Sequence, residues 1–409
     1  MALDLHRYRG ILAIPAFRLF WSTFTLSALG DSVTRFALTW YVWETTHSAQ
    51  ALGLLAFLYT APVLAGGLIA GWLLDRFGSS RVMAVDNLVR GAAVAAIPVL
   101  HLLGALQTWH IYAVVTVYGF LMMVSLAGGP ALIPDLVAKE HLATANAMET
   151  LVYTVSGVLG PPVAGLLIGR LGAPTLVAFD ALSYFLFAAA LLRISGMSRT
   201  THADTGRGSN NLLDGFRLLR GNAVLFSTTV MFMFANLGLG MAFVWLPIYS
   251  DETLGGGSTL FGVLLGLMAA GELVSSLAAG ALSYGVTLGT LIALCQFLSG
   301  LSLALVALVQ QTWAAAVGLT LLGLFSAPLT IWAQTLRMDI IPAELRGRAF
   351  ALLRMLMQSA NPLGGLLAGP LLPLIGIQAA IALSAGFVGL PGLVGSRVRQ
   401  LRAHRVESG

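Results

Sequence analysis

The chain has 409 residues, of which 57% are hydrophobic and only 10% are charged. Soluble proteins average about 25% charged residues, so this composition excludes an ordinary soluble protein and favours membrane-spanning helices. The net charge is +5, and the positive charge comes from arginines distributed along the chain and from a single lysine, Lys139. This distribution does not indicate a nucleic-acid partner. The single cysteine, Cys295, excludes an intramolecular disulfide and most metal sites, and no cofactor is expected.

Apolar segments recur along the whole chain, each near the roughly 20 residues that a helix needs to cross a bilayer. They predict an all-α integral membrane protein with twelve transmembrane helices. The polar, basic stretch 1–18 predicts that no signal peptide is cleaved. The predicted spans are 17–42, 50–74, 83–105, 110–132, 148–169, 174–194, 223–249, 258–283, 287–308, 312–335, 349–373 and 376–396.

Arginine and lysine lie almost entirely on one side of this predicted topology, whereas the other side has Arg170 alone. Because cytoplasmic loops carry the excess of these residues, both termini are predicted to be cytoplasmic. The residues assigned to cytoplasmic loops and tails are Arg7, Arg9, Arg18, Arg76, Arg81, Lys139, Arg193, Arg199, Arg207, Arg217, Arg220, Arg337, Arg346, Arg348, Arg397, Arg399, Arg402 and Arg405.

One polar stretch, 195–222, interrupts the series of spans and predicts a linker between two halves. Its last part, 212–219, fits a short amphipathic helix on the membrane surface. The predicted organisation is a six-helix bundle at 1–194, a cytoplasmic linker at 195–222 and a second six-helix bundle at 223–409.

The two halves resemble each other in sequence when they are aligned at one constant spacing. Such half-to-half similarity is typical of two pseudo-symmetric bundles around a central site. Matching pairs include Gly119 with Gly323, Asp135 with Asp339, Gly160 with Gly364 and Gly165 with Gly369.

A charged turn with two glycines joins the second and third predicted spans and contains Gly71, Asp75, Arg76, Gly78 and Arg81. It resembles the G-x-x-x-D-R-x-G-x-x-R loop of the major facilitator superfamily. The resemblance implies that Asp75 meets the start of the eleventh helix and latches the two halves together. It also implies that the two arginines pair with neighbouring acids or with lipid phosphates. The alternative is an ordinary short basic loop.

The fifth span contains Gly157, Gly160, Pro161 and Gly165. This run resembles the G-P-x-x-G signature of antiporter-type members of the superfamily. Proline removes a backbone hydrogen bond and bends a helix, while glycine permits close packing or a hinge. The alternative interpretation is a packing kink that has no bearing on the direction of transport.

Ionisable residues inside the predicted spans are candidates for proton coupling, because charges within a bilayer are costly and tend to be functional. Glu272 has no basic residue within a helical turn and is the first candidate. Asp31, with Arg35 four residues later, is the second. Asp86 and Arg90 are also four residues apart, and this spacing predicts a charge pair. The alternatives are structural neutralisation for both pairs and an interhelical hydrogen bond for Glu272.

Several aromatic and amide side chains inside the spans could face a substrate cavity. Single tryptophans near helix ends belong more often to the interfacial aromatic belt or to the core. Amides inside a membrane need a polar partner or water. The candidates for the cavity are Trp40, Asn236, Trp245, Gln296, Trp332, Gln358 and Asn361.

The whole chain resembles the branch of the major facilitator superfamily that contains bacterial macrolide-efflux proteins and enterobactin exporters. The fourth span departs from other drug–proton antiporters of the superfamily, because 115–119 contains no arginine. The segments that carry the resemblance are 29–31, 37–40, 48–53, 133–137, 145–147, 160–161 and 179–184.

This resemblance implies a secondary exporter, without enzymatic activity, that exchanges protons for amphipathic or hydrophobic small molecules by alternating access. It also implies a monomer surrounded by lipids in the cytoplasmic membrane of a bacterium. Two other hypotheses remain open. One is export of a defined metabolite such as a siderophore or a lysophospholipid, and the other is a membrane scaffold or sensor without transport activity.

Overall fold

The computed structural model describes residues 10–195, 212–281, 287–342 and 345–403, and the regular elements within these ranges are helices and helical turns. The short helix predicted at 212–219 is confirmed and spans Leu212–Gly221. The helices are α1 (Pro15–Thr46), α2 (Ala49–Phe77), α3 (Ser79–Leu102), α4 (Thr108–Leu136), α5 (Leu142–Leu171), α6 (Ala173–Ser195), α7 (Leu212–Gly221), α8 (Ala223–Ile248), α9 (Gly257–Ala281), α10 (Leu288–Leu308), α11 (Thr312–Ile340), α12 (Arg346–Ile375), α13 (Ile377–Gly395) and α14 (Arg399–Ala403).

Within the described residues, ten helices are long and apolar enough to cross a membrane. Helices α1 and α12 are outside this set although they contain 32 and 30 residues, because polar and charged side chains lower their mean hydropathy. Asp31, Arg35 and Arg354 are examples. The prediction of an all-α, multi-pass membrane protein is confirmed, and the count of twelve spans stays a prediction.

Local sequence determines where several of these helices begin. Gly78 separates α2 from α3 with φ 83°, a backbone conformation that glycine adopts without steric cost. The Asn222 side chain accepts hydrogen bonds from the backbone N–H groups of Val224 and Leu225 and so caps α8. These tight caps keep the connections short, which is typical of spans that return directly across a bilayer.

Backbone contacts divide the chain into two units. The first contains Met1–Glu44 and Leu58–Thr205, and the second contains Thr45–Phe57 and Gly206–Gly409. The bundles predicted at 1–194 and 223–409 stay a prediction. Most of the predicted linker, 196–211, lies outside the described residues.

Glycines matched by the sequence repeat make equivalent contacts inside each unit. In the first unit a Cβ at Gly119 of α4 would overlap the carbonyl oxygen of Tyr59 on α2. In the second unit a Cβ at Gly323 of α11 would overlap the carbonyl oxygen of Met268 on α9. Small residues therefore let the backbones of corresponding helix pairs meet. Likewise α3 packs against α6 in the first unit, and α10 packs against α13 in the second.

Gly323→Ala is expected to destabilise the protein by about 1–3 kcal/mol, because the added methyl forces two helix backbones apart. Gly386→Ala in the same unit is the matched control, since its Cβ would lie 3.8 Å from Leu390 at ordinary contact distance. Unfolding of the purified variants in mixed micelles measures both effects. Equal stability of the two variants would contradict the close crossing of α9 and α11.

Candidate functional site

A buried arginine, Arg90 of α3, lies at the centre of a polar cluster in the first unit. Its Nη2 atom lies 2.5 Å from Asp86 Oδ2, so the predicted pair across one helical turn is present. Its Nη1 atom lies 3.9 Å from Oδ2 of Asp31 on α1. One guanidinium therefore binds two carboxylates that come from different helices.

Hydroxyl groups from two further helices complete the cluster. Ser125 of α4 donates a hydrogen bond to Asp86 Oδ2 at 3.1 Å and accepts one from Arg90. The Tyr184 hydroxyl of α6 accepts a hydrogen bond from Arg90 Nη1 at 3.3 Å and donates one to Asp31. The tyrosine hydroxyl thus bridges the cation and the carboxylate of a second helix.

Aromatic rings cover the guanidinium on the α4 and α6 sides. The Arg90 Cζ atom lies 4.9 Å from the centre of the Tyr184 ring and 5.5 Å from that of Tyr118. Gly91 makes this approach of α6 possible, because a Cβ there would already lie 3.0 Å from the Tyr184 Cβ. Cation–π contact in a water-poor site strengthens the hold on the arginine.

A third carboxylate, Asp180 of α6, lies in the same unit and is 1% exposed. Its Oδ1 atom accepts a hydrogen bond from Ser183 Oγ at 3.1 Å, while its Oδ2 atom has no hydrogen-bond partner among the described residues. The carboxyl group packs against Gly30, the neighbour of Asp31, where a side chain would collide with it. Carboxylates therefore outnumber the buried guanidinium, which favours a place where protons bind and leave.

The cluster opens onto a cleft of about 200 Å³ in the first unit, here called the charged cleft. Asp31 reaches it with a side chain that is 27% exposed, whereas the Asp86 side chain is 1% exposed. Pockets for drug-sized ligands measure about 300–1,000 Å³, so this cleft is smaller than such a pocket. It suits protons, water or one polar group of a substrate. Its polar lining is Ser27, Asp31, Ser32, Arg35, Tyr59, Arg90, Tyr118, Ser125, Tyr153 and Ser156.

The predicted pairing of Asp31 with Arg35 stays a prediction. The Arg35 guanidinium also lines the charged cleft and lies 5.1 Å above the ring of Tyr59. The contact of Asp31 with Arg90 was not predicted, because sequence spacing reports neighbours on one helix and this contact joins two helices.

The predicted signature in α5 lies beside the charged cleft. Gly157 lines the cleft, and a Cβ there would meet no atom within 4 Å. A Cβ at Gly160 would overlap the Ser32 side chain of α1, which indicates close packing at this point. Pro161 lies inside a helix that continues from Leu142 to Leu171, and Gly165 is buried in it. A role in antiport stays a prediction.

Glu272, the first candidate for proton coupling, lies in the second unit on α9. Its Oε1 atom accepts a hydrogen bond from Ser326 Oγ of α11 at 3.3 Å. The interhelical hydrogen bond of the alternative interpretation is therefore present. A proton-carrying role for Glu272 stays a prediction.

The residues predicted to line a substrate cavity differ in their surroundings. Trp245 of α8 is fully buried and donates a hydrogen bond to Ser384 Oγ of α13 at 3.0 Å. Gln296 of α10 is also fully buried and donates to the Met231 carbonyl at 2.7 Å. Both side chains join helices of the second unit. Trp40 and Trp332 are each 7% exposed, Asn236 and Asn361 are partly exposed, and Gln358 is exposed.

The charged turn that is predicted to latch the two halves lies between α2 and α3 in the first unit. Gly71, Asp75, Arg76 and Arg81 are exposed, and Gly78 makes the turn. The Arg76 guanidinium lies 5.4 Å from the ring centre of Trp72 on its own helix. The predicted contact of Asp75 with the start of the eleventh span, 349–373, which corresponds to α12, stays a prediction.

Besides Asp180, two buried ionisable residues of the described ranges were not among the predicted site residues. Glu149 of α5 is 6% exposed, and its Oε1 atom has no hydrogen-bond partner among the described residues. Arg337 of α11 is 4% exposed, its Nε and Nη2 atoms likewise have no partner there, and its Cζ lies 4.7 Å from the Phe232 ring centre. The described residues contain no group of three or more acids, histidines or cysteines that could hold a metal ion.

The helical architecture is that of the major facilitator superfamily. The solved structure of the nucleoside transporter NupG matches with a TM-score of 0.75 at 12% sequence identity, covering 96% of this chain and 100% of that one. The family described as "Transmembrane secretion effector" matches residues 10–408. The chain belongs to this family of major facilitator superfamily transporters.

Three relatives that are named as transporters or efflux proteins are similar to this chain over most of their lengths. The multidrug efflux pump Tap of Mycobacterium tuberculosis is 27% identical, over 95% of this chain and 94% of Tap. The staphyloferrin A transporter of Staphylococcus aureus is 24% identical, over 85% and 87%. Macrolide efflux protein A of Streptococcus pyogenes is 23% identical, over 93% and 95%.

Proposed function

We propose that this protein is a proton-coupled secondary exporter of amphipathic or hydrophobic small molecules. It works as a monomer in the bacterial cytoplasmic membrane with both termini inside. The names of two relatives, a multidrug efflux pump and a macrolide efflux protein, support the substrate class. The observation that carries the proposal is Asp31, which is bound to a buried arginine and also reaches an open cleft.

The proposed coupling follows from the charges around Arg90. When Asp31 is ionised, its attraction to Arg90 holds α1 against α3 and α6. When Asp31 takes up a proton, this attraction ends while Asp86 keeps the guanidinium in place. Protonation thus loosens α1 alone, and such a local change can favour one of the two access states.

Efflux from bacteria that lack their own pumps tests this proposal. Cells that express the protein are expected to accumulate less of a lipophilic fluorescent dye and less of a macrolide than cells with an empty vector. A protonophore is expected to abolish the difference. Efflux that survives collapse of the proton gradient would contradict proton coupling, and unchanged accumulation of every compound would contradict drug export.

A second candidate substrate is a siderophore, because the staphyloferrin A transporter is similar over most of the chain. In that case the protein does not lower the accumulation of the dye or the macrolide. Its expression instead restores siderophore secretion in a strain whose own exporter is deleted. A scaffold or sensor without transport activity predicts a third result. Asp31, Asp75 and Glu272 could then all be neutralised without a change in phenotype.

Asp75→Asn is expected to leave the protein folded but to reduce transport strongly, because an amide attracts a helix N-terminus less than a carboxylate does. Asp75 is exposed, so its neutralisation disturbs no packing. The matched control is Glu140→Gln, which removes an exposed acid before α5. Transport is measured in liposomes that contain equal amounts of purified protein, and wild-type turnover by Asp75→Asn would contradict the latch.

A further inference from the structure

Glu149 is a carboxyl group deep in a span that the proposed mechanism has not used. It is the eighth residue of α5, which places it about 10 Å along the axis from the first residue of the helix. It is 6% exposed, and its Oε1 atom accepts no hydrogen bond from any described residue.

No ion pair joins Glu149 to a described arginine or lysine. Helix α4 presents Gly129, where a Cβ would overlap Glu149 Oε1, so the missing side chain leaves the space that the carboxyl occupies. Helix α1 presents Trp21, whose indole N–H donates to the Met148 carbonyl at 3.1 Å. An ionised carboxylate in such surroundings is costly, and uptake of a proton removes the cost.

Polar side chains lead from Glu149 to the charged cleft along one face of α5. Glu149, Tyr153 and Ser156 are spaced by four and then three residues, so they lie above one another on the helix. Tyr153 and Ser156 line the charged cleft, which also contains Asp31. Tyr153 lies about one helical turn from Glu149 along α5.

We propose that Glu149 is a second proton-exchange group, which connects the charged cleft with the water on the side of the membrane where α5 begins. The Glu149 carboxyl releases its proton through the Tyr153 hydroxyl and water in the cleft, and the Asp31 carboxylate accepts it. O–H bonds alone break and form, and one negative charge moves from Asp31 to Glu149. This inference rests on the proposed proton-coupled export.

Chemical labelling tests the protonated state of Glu149 without any transport measurement. Dicyclohexylcarbodiimide reacts with protonated carboxyl groups in apolar surroundings, and mass spectrometry of the purified, detergent-solubilised protein locates the adduct. Glu149 is expected to be labelled at neutral pH and to lose labelling as the pH rises. Glu140 is exposed in the turn just before α5 and is expected to stay unlabelled. Absence of the adduct on Glu149 at every pH would overturn the proposal.

Transport in liposomes tests the relay itself. Glu149→Gln is expected to lose accumulation driven by a pH gradient while it keeps exchange of substrate without a gradient. Glu140→Gln is the matched control and is expected to behave like the wild type. Gly129→Ala keeps the carboxyl but displaces it, so it provides the same test if Glu149→Gln does not fold.

The results separate this proposal from the proposed function. Gradient-driven accumulation by Glu149→Gln or Gly129→Ala, with the wild-type pH profile, would overturn the relay and leave proton-coupled export intact. Wild-type transport that ignores the pH gradient would overturn both. Loss of gradient-driven transport together with preserved exchange would support the relay.

Discussion

Arg90→Gln is expected to destabilise the protein by about 3–5 kcal/mol, the usual cost of removing one partner from a buried ion pair. The variant would leave Asp86, whose side chain is 1% exposed, without a cation beside it. It would also remove the hydrogen bond that Arg90 donates to Tyr184. Unfolding of the purified protein in mixed micelles measures the loss.

Two further variants make this prediction specific. The double variant Arg90→Gln/Asp86→Asn is expected to recover part of the lost stability, because it no longer contains an uncompensated carboxylate. Arg354→Gln on α12 removes an exposed arginine and is expected to change stability by no more than about 0.5 kcal/mol. A single Arg90→Gln variant as stable as Arg354→Gln would contradict the structural role of the cluster.

Asp31→Asn is expected to abolish proton-driven export while the protein remains folded. The amide oxygen can still accept the hydrogen bond from Tyr184, and Arg90 keeps its contact with Asp86. The side chain can no longer bind and release a proton, so attraction between α1 and α3 would no longer depend on protonation. Liposomes that contain a pH-sensitive dye report both substrate movement and the accompanying proton flux.

Glu44→Gln is the matched control, because Glu44 is an exposed acid near the end of the same helix. It is expected to transport like the wild type. Asp31→Asn that still couples substrate to protons would remove Asp31 from the mechanism. In that case Glu272 of the second unit, the first candidate from the sequence, would still have to be tested for proton coupling.

Composition and apolar periodicity predicted the class of fold and the approximate positions of the helices. They were less successful at helix ends, near which Glu149 and Arg337 lie. The fifth span was predicted to begin at 148, whereas α5 begins at Leu142, so Glu149 lies two turns inside the helix. The tenth span was predicted to end at 335, whereas α11 continues to Ile340 and buries Arg337.

Both errors have one physical cause. Hydropathy falls at polar or charged residues near a helix end, although the helix continues through them. Thr144 and Asn146 lie at the start of α5, and Arg337 lies at the end of α11. Pairs on one helix were accessible from sequence, as Asp86 and Arg90 illustrate. The contacts of Arg90 with Asp31 and Tyr184 join different helices, and a single sequence contains no signal for them.

Gly157 offers a practical route to changing the volume of the charged cleft. Many other helical glycines lie where backbones meet and leave no room for a methyl group. Gly157, in contrast, lines the charged cleft, and a Cβ there would meet no atom within 4 Å. Substitutions at this position are therefore expected to change how protons, water or a polar group of the substrate reach Asp31. Larger side chains at this position are expected to reduce the volume of the charged cleft without disturbing the packing of the surrounding helices.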